Sequence, residues 1–294
     1  MNTIKKYNYQ NFMIFVTFFL LWISVQFGEV VEDYLAYILV ISIGIIHGAN
    51  DLLILSTKEQ NNKRLKKNLI IYIGIIFLCV LTYLFSSFVA ILFFVFLSAY
   101  HFGEEHFEHK INVNLLFNLV YFSVYGLLIF SLLFYQSLMD VDAIMIELTG
   151  KSFTKLQIEI SLLFSSILLF LGSLYLIITQ KYDLNLFVRE FFYLVLLFLV
   201  FKTSSLVLGF AIYFIFWHSI PSIIHQIEFI SGNLNRKNIF SYIKKAMIYW
   251  VISIFSLIIL YQLVPQLELF ATVVFVILFA VTAPHTWVMY KMKN

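Results

Sequence analysis

Five of the seven histidines lie inside apolar stretches that are long enough to span a lipid bilayer. The five residues are His47, His101, His218, His225 and His285. An ionisable side chain at membrane depth is costly, so its presence there indicates a functional site. Imidazole is also the commonest metal-binding side chain in proteins. Histidines on several separate helices therefore predict one buried metal centre.

The elements that must position these histidines are membrane-spanning helices. The chain has 294 residues, of which 62% are hydrophobic and 12% charged, about half the charged fraction of a soluble domain. Apolar runs of about 20 residues recur along the whole length, which is typical of an all-α polytopic membrane protein. We expect residues 1–294 to form a single integral-membrane domain. The runs predict ten spans, over residues 11–28, 33–56, 68–86, 88–103, 114–136, 157–179, 190–201, 204–230, 246–263 and 267–289. The seventh is short enough to be tilted or partly re-entrant.

The distribution of basic residues predicts the orientation of these spans. With ten spans, both termini and every second loop share one side of the membrane. Of the 19 Lys and Arg residues, only Lys151, Lys155 and Lys202 fall on the opposite side. Because basic residues accumulate in cytoplasmic loops, both termini are predicted to be cytoplasmic, in a multi-pass protein of the cell membrane.

The same topology predicts the depth of each histidine. The spans that carry the five histidines all run in one direction across the membrane. His47, His101 and His218 come about 13–14 residues after the start of their spans, and His285 about 18, which places all four within one layer roughly 6–8 Å thick. This layer lies in the cytoplasmic half. His225 is expected about 10 Å beyond His218 on the same helix.

The other side chains near the histidines narrow the chemistry. The single cysteine, Cys79, lies in an apolar run and excludes an intramolecular disulfide and a thiolate-rich metal site. Neutral imidazoles suit Fe(II), Zn, Cu and Ni, and three or four of them leave coordination positions open, as iron needs for dioxygen chemistry. No nucleic-acid signature is present in the chain.

Two carboxylates stand four residues after a histidine. Asp51 follows His47 and Glu105 follows His101 at this spacing, which places each pair on one face of a helix. We therefore expect Asp51 to orient His47 and Glu105 to orient His101. The alternative, a solvated carboxylate at the end of a helix, stays open for both.

Small residues and prolines also cluster at the histidines. Gly44, Gly48 and Gly103 flank His47 or His101 and allow close helix approach. Pro221 and Pro284 lie within three residues of His218 or His285, and proline bends a helix in a way that would help to aim a ligand. An ordinary kink of a membrane helix stays open as an equal explanation.

A histidine box is a competing interpretation. His101, His106 and His109 have the spacing H-x4-H-x2-H, which is similar to the boxes of membrane di-iron hydroxylases and desaturases. Those enzymes use several such boxes, whereas this chain has one. His106 and His109 are therefore predicted to be solvated residues of a cytoplasmic loop.

Four short motifs resemble, in this order, the signatures of the Brp/Blh family of bacterial and archaeal membrane β-carotene 15,15′-dioxygenases. They are His47-Gly48-Ala49-Asn50-Asp51, His101-Phe102-Gly103, Trp217-His218-Ser219 and Pro284-His285. The resemblance extends from residue 44 to about residue 288. It implies an enzyme that uses Fe(2+) and O2 to split the central double bond of β-carotene into two molecules of retinal, a product passed on to a rhodopsin.

The resemblance also implies roles for individual residues. By motif match His47, His101 and His218 are metal ligands. Family members often have a further histidine four residues after the one in the Trp-His-Ser motif, but this chain has Ser222 there, so His225 and His285 remain alternatives for the fourth ligand. Ser219 joins Asp51 and Glu105 as a residue expected just outside the ligand set. The side chains expected along the polyene are Trp217, Trp287, Phe102 and Phe216.

Three other functions remain open from the sequence. A membrane di-iron lipid hydroxylase or desaturase would use His106 and His109 as ligands. A haem-bearing electron carrier would use pairs of histidines on facing helices. A transporter would use the histidines as a proton relay and would need no metal.

Overall fold

The computed structural model describes residues 3–59, 61–107, 110–111, 113–263 and 267–293, without the side chains of residues 3–8 and 267–275. Within this part of the chain every regular element is helical, and there are fourteen α-helices and two π-helical segments. A backbone in lipid has no water to bond with, so apolar runs of this length form helices, which satisfy their own N–H and C=O groups. The prediction of an all-α polytopic fold is confirmed.

The α-helices, numbered in chain order, are α1 Thr3–Gln26, α2 Glu29–Leu39, α3 Ile45–Gly48, α4 Asp51–Lys58, α5 Asn62–Phe85, α6 Ser87–Phe107, α7 Leu115–Gln136, α8 Leu138–Thr149, α9 Lys155–Ile178, α10 Leu184–Thr203, α11 Leu206–Ile212, α12 Ile220–Ser231, α13 Arg236–Leu263 and α14 Leu267–Lys293. The π-helical segments are Val40–Gly44, between α2 and α3, and Tyr213–Ser219, between α11 and α12.

Nine candidate spans are long and apolar enough to cross a membrane in the described residues, and they coincide with the first nine predicted spans. The tenth predicted span corresponds to α14, which lies partly beyond the described side chains, so a total of ten stays a prediction. The seventh is the regular 20-residue helix α10, not a short re-entrant one. Helix α8, with 12 residues, was not predicted and is too short to span a bilayer.

The exterior of the bundle is apolar. Phe85 is 93% exposed and Leu84 is 75% exposed, and exposed Phe, Leu and Ile side chains occur on most of the spanning helices. Buried positions, by contrast, include His, Asp, Glu, Asn and Gln. Lipid solvates the apolar surface, so a polar interior with an apolar exterior is what a functional membrane bundle requires.

Helices α6 and α7 pack with their backbones in contact. A Cβ atom on Gly103 would lie 2.0 Å from the carbonyl oxygen of Phe122, and one on Gly126 would lie 1.9 Å from that of Ala99. Only glycine permits this approach, as in other close-packed membrane helices. Ala99 and Gly103, the α6 residues of these two contacts, lie on either side of His101, so the contacts fix the position of His101 relative to α7.

The second and eighth spans depart from α-helical geometry where they carry histidines. The π-helical segment Val40–Gly44 precedes His47, and the segment Tyr213–Ser219 contains His218. A π-turn inserts one extra residue and occurs frequently at functional sites. The second span also breaks after Gly48 and resumes at Asp51.

Candidate metal centre

Four of the five predicted histidines come together in the interior of the bundle. His47, His101, His218 and His285 are each at most 4% exposed. The ring centroid of His47 lies 6.3 Å from that of His101, 5.0 Å from that of His218 and 4.6 Å from that of His285. The centroid of His101 lies 4.7 Å from that of His218 and 5.2 Å from that of His285. Ligand nitrogens of His47, His101 and His285 all lie within 4.8 Å of one another, so this triad can hold a metal ion.

Asp51 determines which nitrogen of His285 faces the other rings. Oδ1 of Asp51 lies 2.7 Å from Nδ1 of His285, and the Tyr72 hydroxyl donates to Oδ2 at 3.3 Å. A carboxylate accepts hydrogen bonds, so Nδ1 of His285 is the donor to Asp51, and Nε2 is the nitrogen that faces the other rings. That Nε2 lies 2.9 Å from Nε2 of His47. Two adjacent ligands, each about 2.1 Å from one metal ion, are separated by about 3 Å, so this spacing is suitable for coordination.

The break in the second span explains why Asp51 does not orient His47, as the sequence had suggested. An uninterrupted helix would place residues 47 and 51 on one face. Helix α3 ends at Gly48, however, and α4 begins at Asp51, so the carboxylate turns to His285 on α14. Asp51 is therefore the partner of a site histidine, but that histidine is His285 and not His47.

Several ring nitrogens have no hydrogen-bond partner among the described residues. They are Nδ1 of His47 and both nitrogens of His101 and of His218. A buried polar atom without a partner costs about 1–3 kcal/mol, and such atoms are rare in folded proteins. A metal ion would use lone pairs that otherwise remain unsatisfied. The donor set of neutral imidazoles therefore fits a transition metal such as iron, zinc or copper.

A buried polar group, which sequence reasoning missed, holds the backbone at the helix break. The side chain of Gln226 donates from Nε2 to the carbonyl oxygen of His47 at 3.2 Å and accepts at Oε1 from the Tyr242 hydroxyl at 2.6 Å. Asn50 donates from Nδ2 to the carbonyl of Tyr242 at 3.3 Å. All three side chains are buried. The amide side chains of Asn50 and Gln226 inside apolar spans were the available signal, whereas Tyr242 precedes the predicted ninth span.

His225 is not part of the four-ring group. Its Nδ1 donates to Oε1 of Glu105 at 2.6 Å, and Nζ of Lys293 lies 3.3 Å from Oε2 of the same carboxylate. Glu105 was expected to orient His101, but its described contacts are to His225 and Lys293. The carboxylate nearest to His101 is that of Glu104, with Oε2 4.0 Å from Nδ1. Both glutamates are buried, not solvated.

The prediction that His106 is a solvated loop residue is wrong. Helix α6 continues one turn beyond its predicted end and carries His106 into the bundle, so this residue is not solvated. Its Nε2 lies 2.6 Å from Oε2 of Glu190, while Nζ of Lys110 lies 2.9 Å from Oε1 of Glu190. The ring also stacks on Tyr125, with centroids 4.7 Å apart. His109 lies outside the described residues.

Of the aromatic residues expected along a substrate, some contact the imidazoles and others do not. Phe102 contacts His218, with ring centroids 4.6 Å apart. Trp217 is turned away from the imidazoles, and its indole N–H donates to Oγ1 of Thr17 on α1 at 3.1 Å. Phe216 is buried, and its carbonyl accepts a hydrogen bond from the Tyr9 hydroxyl.

Three further residues have to be placed relative to the site. Trp287 lies under the ammonium group of Lys291, 5.2 Å from the ring centroid. Phe214, which was not predicted, stacks on His218 at 5.8 Å and meets His47 edge-on at 6.1 Å. Ser219 is fully buried beside His218, and its Oγ has no hydrogen-bond partner in the described part of the chain.

Comparison with known proteins identifies the family. A family profile described as beta-carotene 15,15′-dioxygenase matches residues 38–293, a range that includes all four converging histidines. No curated protein and no solved structure showed significant similarity to the chain. The family match covers most of the sequence, and the buried triad of His47, His101 and His285 can hold a metal ion. The chain therefore belongs to the β-carotene 15,15′-dioxygenase family of membrane enzymes.

Proposed function

We propose that this protein uses Fe(II) and O2 to split the central double bond of β-carotene, giving two molecules of retinal. The observation that carries the proposal is the group of four buried imidazoles, three of which have ring nitrogens without a hydrogen-bond partner among the described residues, in a chain whose family is that of β-carotene dioxygenases. Each half of the substrate would receive one oxygen atom as an aldehyde.

His47, His101, His218 and His285 would hold the iron. When bound, Fe(II) would supply open coordination positions and redox chemistry towards dioxygen. The protein's contribution is to hold four neutral donors in a fixed arrangement. Asp51 positions His285 through Nδ1, a hydrogen bond that also raises the basicity of the ligating nitrogen.

The side chains around the imidazoles would exclude water and guide the polyene. Phe102 and Phe214 both contact His218 and offer aromatic faces without hydrogen-bonding groups. A conjugated hydrocarbon presents area and no polar atoms, so such faces suit it. The substrate is dissolved in lipid and would enter laterally between helices. We place the enzyme in the cell membrane and expect its retinal product to pass to a rhodopsin.

The proposal is tested by turnover of the purified protein. Incubation with Fe(II), O2 and β-carotene is expected to yield retinal, measured by chromatography. In His47→Ala and His218→Ala we expect a loss of rate greater than the roughly 10–100-fold that follows removal of an outer hydrogen-bond partner of a ligand. Elution as a single species from size-exclusion chromatography checks that each variant is folded. Undiminished retinal formation by both variants would disprove the assignment.

The iron content separates this function from the di-iron alternative. One metal ion per chain is expected by elemental analysis, and His106→Gln should keep the metal because His106 contacts Glu190 and Lys110. Two ions per chain, with loss of one in His106→Gln, would favour a di-iron oxidase instead.

A further inference from the structure

A separate apolar cavity lies between α6, α7, α8 and α11. Its volume is about 270 Å³, and every lining side chain is aliphatic, aromatic or the thioether of Met145. A cavity without any polar group in its wall offers nothing to an ion, a lipid headgroup or a sugar. It suits a hydrocarbon group.

Two pairs of stacked rings connect this cavity to the metal centre. Phe130 lines the cavity and stacks on Phe102, with centroids 5.5 Å apart, and Phe102 contacts His218. Phe210 lines the cavity and stacks on Phe214, with centroids 5.4 Å apart, and Phe214 also contacts His218. The cavity and the imidazoles therefore share one continuous aromatic wall.

The cavity lies at a defined distance from the imidazoles along the helices. On α6, Val95 and Ile91 precede His101 by six and ten residues, which corresponds to about 9 Å and 15 Å. On the eighth span Phe210 precedes His218 by eight residues, or about 12 Å. These distances are comparable to that between the central double bond of β-carotene and either of its end rings.

We propose that this cavity binds one end ring of the carotenoid and thereby determines which double bond lies at the metal centre. The inference rests on the proposed function and adds a specificity site to it. The polyene would run from the cavity along Phe102 and Phe214, whose centroids are 6.3 Å apart. A ring that fills the cavity would stop the chain at a fixed depth, so the metal centre would meet the central bond.

Two substitutions fill the cavity without touching the imidazoles. Val95 and Val207 both line it and are half-buried, so Val95→Phe and Val207→Phe replace cavity volume with a phenyl ring. Val89→Phe is the matched control, because Val89 is on the same helix as Val95, is 39% exposed and is not in the cavity wall.

The first measurement is the amount of carotenoid that the metal-free protein retains in detergent under argon, read from the absorbance of the pigment. We expect Val95→Phe and Val207→Phe to retain β-carotene about tenfold less tightly, the size of effect that steric changes in an apolar pocket produce. Lycopene, whose ends are acyclic and narrower, should be retained as by the wild-type protein. Val89→Phe should retain both pigments normally.

Unchanged β-carotene retention in both filled variants would overturn the inference, as would an equal loss of lycopene or an equal loss in Val89→Phe.

A second variant acts in the opposite direction: Phe134→Ala enlarges the cavity and is expected to shift part of the cleavage from the central bond to a neighbouring one, giving apocarotenals of unequal length. Pigment retention requires no turnover. If the filled variants lose β-carotene but keep lycopene while the wild-type protein forms no retinal, the proposed reaction is wrong and the inference about the cavity stands.

Discussion

The chemistry available to the candidate metal centre depends on which nitrogen of each histidine is engaged elsewhere. The contact of His285 with Asp51 uses Nδ1 and leaves Nε2 facing His47. His225 donates its Nδ1 to Glu105, on the same carboxylate that Lys293 neutralises. The sequence left His225 and His285 as alternatives for the fourth ligand. In the structure His285 contacts the carboxylate of Asp51, and His225 contacts that of Glu105. Only His285 joins the other rings.

This difference leads to a prediction about metal affinity. In His285→Ala we expect the affinity for Fe(II) to fall by more than roughly 10–100-fold, because a ligand is lost and not merely a partner of one. His225→Ala should bind Fe(II) with an affinity close to that of the wild-type protein. Metal titration followed by elemental analysis measures both.

Added imidazole provides a control for His285→Ala. A free imidazole molecule can replace a missing ligand, but it does not repair a misfolded bundle, so recovery of metal binding would point to ligation. If His225→Ala loses iron while His285→Ala retains it, the fourth ligand is His225 and the proposed donor set is wrong.

At the scale of the helices, irregular geometry and close packing position the site histidines. The π-helical segments Val40–Gly44 and Tyr213–Ser219 each add one residue to a turn, which rotates the residues that follow by about 100° around the helix axis. On α6, the contacts of Gly103 and Gly126 with the facing backbone fix the separation from α7.

The glycine contacts predict a measurable effect on stability. In Gly126→Ala the new methyl group would meet the carbonyl of Ala99 at 1.9 Å, so α6 and α7 must separate. We expect a loss of about 1–3 kcal/mol, as for other overpacked sites, together with weaker metal binding because His101 moves with α6. Thermal unfolding in detergent, followed by tryptophan fluorescence, measures the change.

Gly74→Ala on α5 is the control, since a Cβ atom there has no neighbour within 4 Å. Alanine favours a helix over glycine by about 1 kcal/mol, so this variant should unfold at the wild-type temperature or slightly above it. Equal unfolding temperatures for Gly126→Ala and the wild-type protein would contradict the packing argument.

At the scale of the whole molecule, buried charges collect at the ends of three helices. Glu104 and Glu105 near the end of α6 contact Lys293 at the end of α14, and Glu190 near the start of α10 contacts Lys110. Pairing reduces the cost of burying these groups. These ends belong to the side that the basic residues predict to be cytoplasmic.

The orientation is testable with C-terminal reporter fusions. A fusion after residue 294 should make green fluorescent protein fluorescent and leave alkaline phosphatase inactive, since the first folds in the cytoplasm and the second requires export. Fusions in the loop 150–154 between α8 and α9 should give the opposite pattern. An active phosphatase at the C-terminus would invert the predicted topology.

The sequence by itself determined the features that depend on local composition. Apolar runs located the nine described spans because the requirement for internally bonded backbone in lipid acts on each segment separately. The linear position of His47, His101, His218 and His285 along their spans predicted a shared depth, since depth in a helix is proportional to residue number. The motifs around these histidines also pointed to the family that the profile match shows.

The tertiary structure alone decided which faces meet. Spacing of four residues suggested that Asp51 serves His47, but a break after Gly48 turned it to His285. The extension of α6 to Phe107 brought His106 to Glu190, and the π-turns gave His218 its final direction. Rotation about a helix axis, the end of a helix and the choice of a partner depend on contacts with distant segments, and hydropathy contains no information about those contacts.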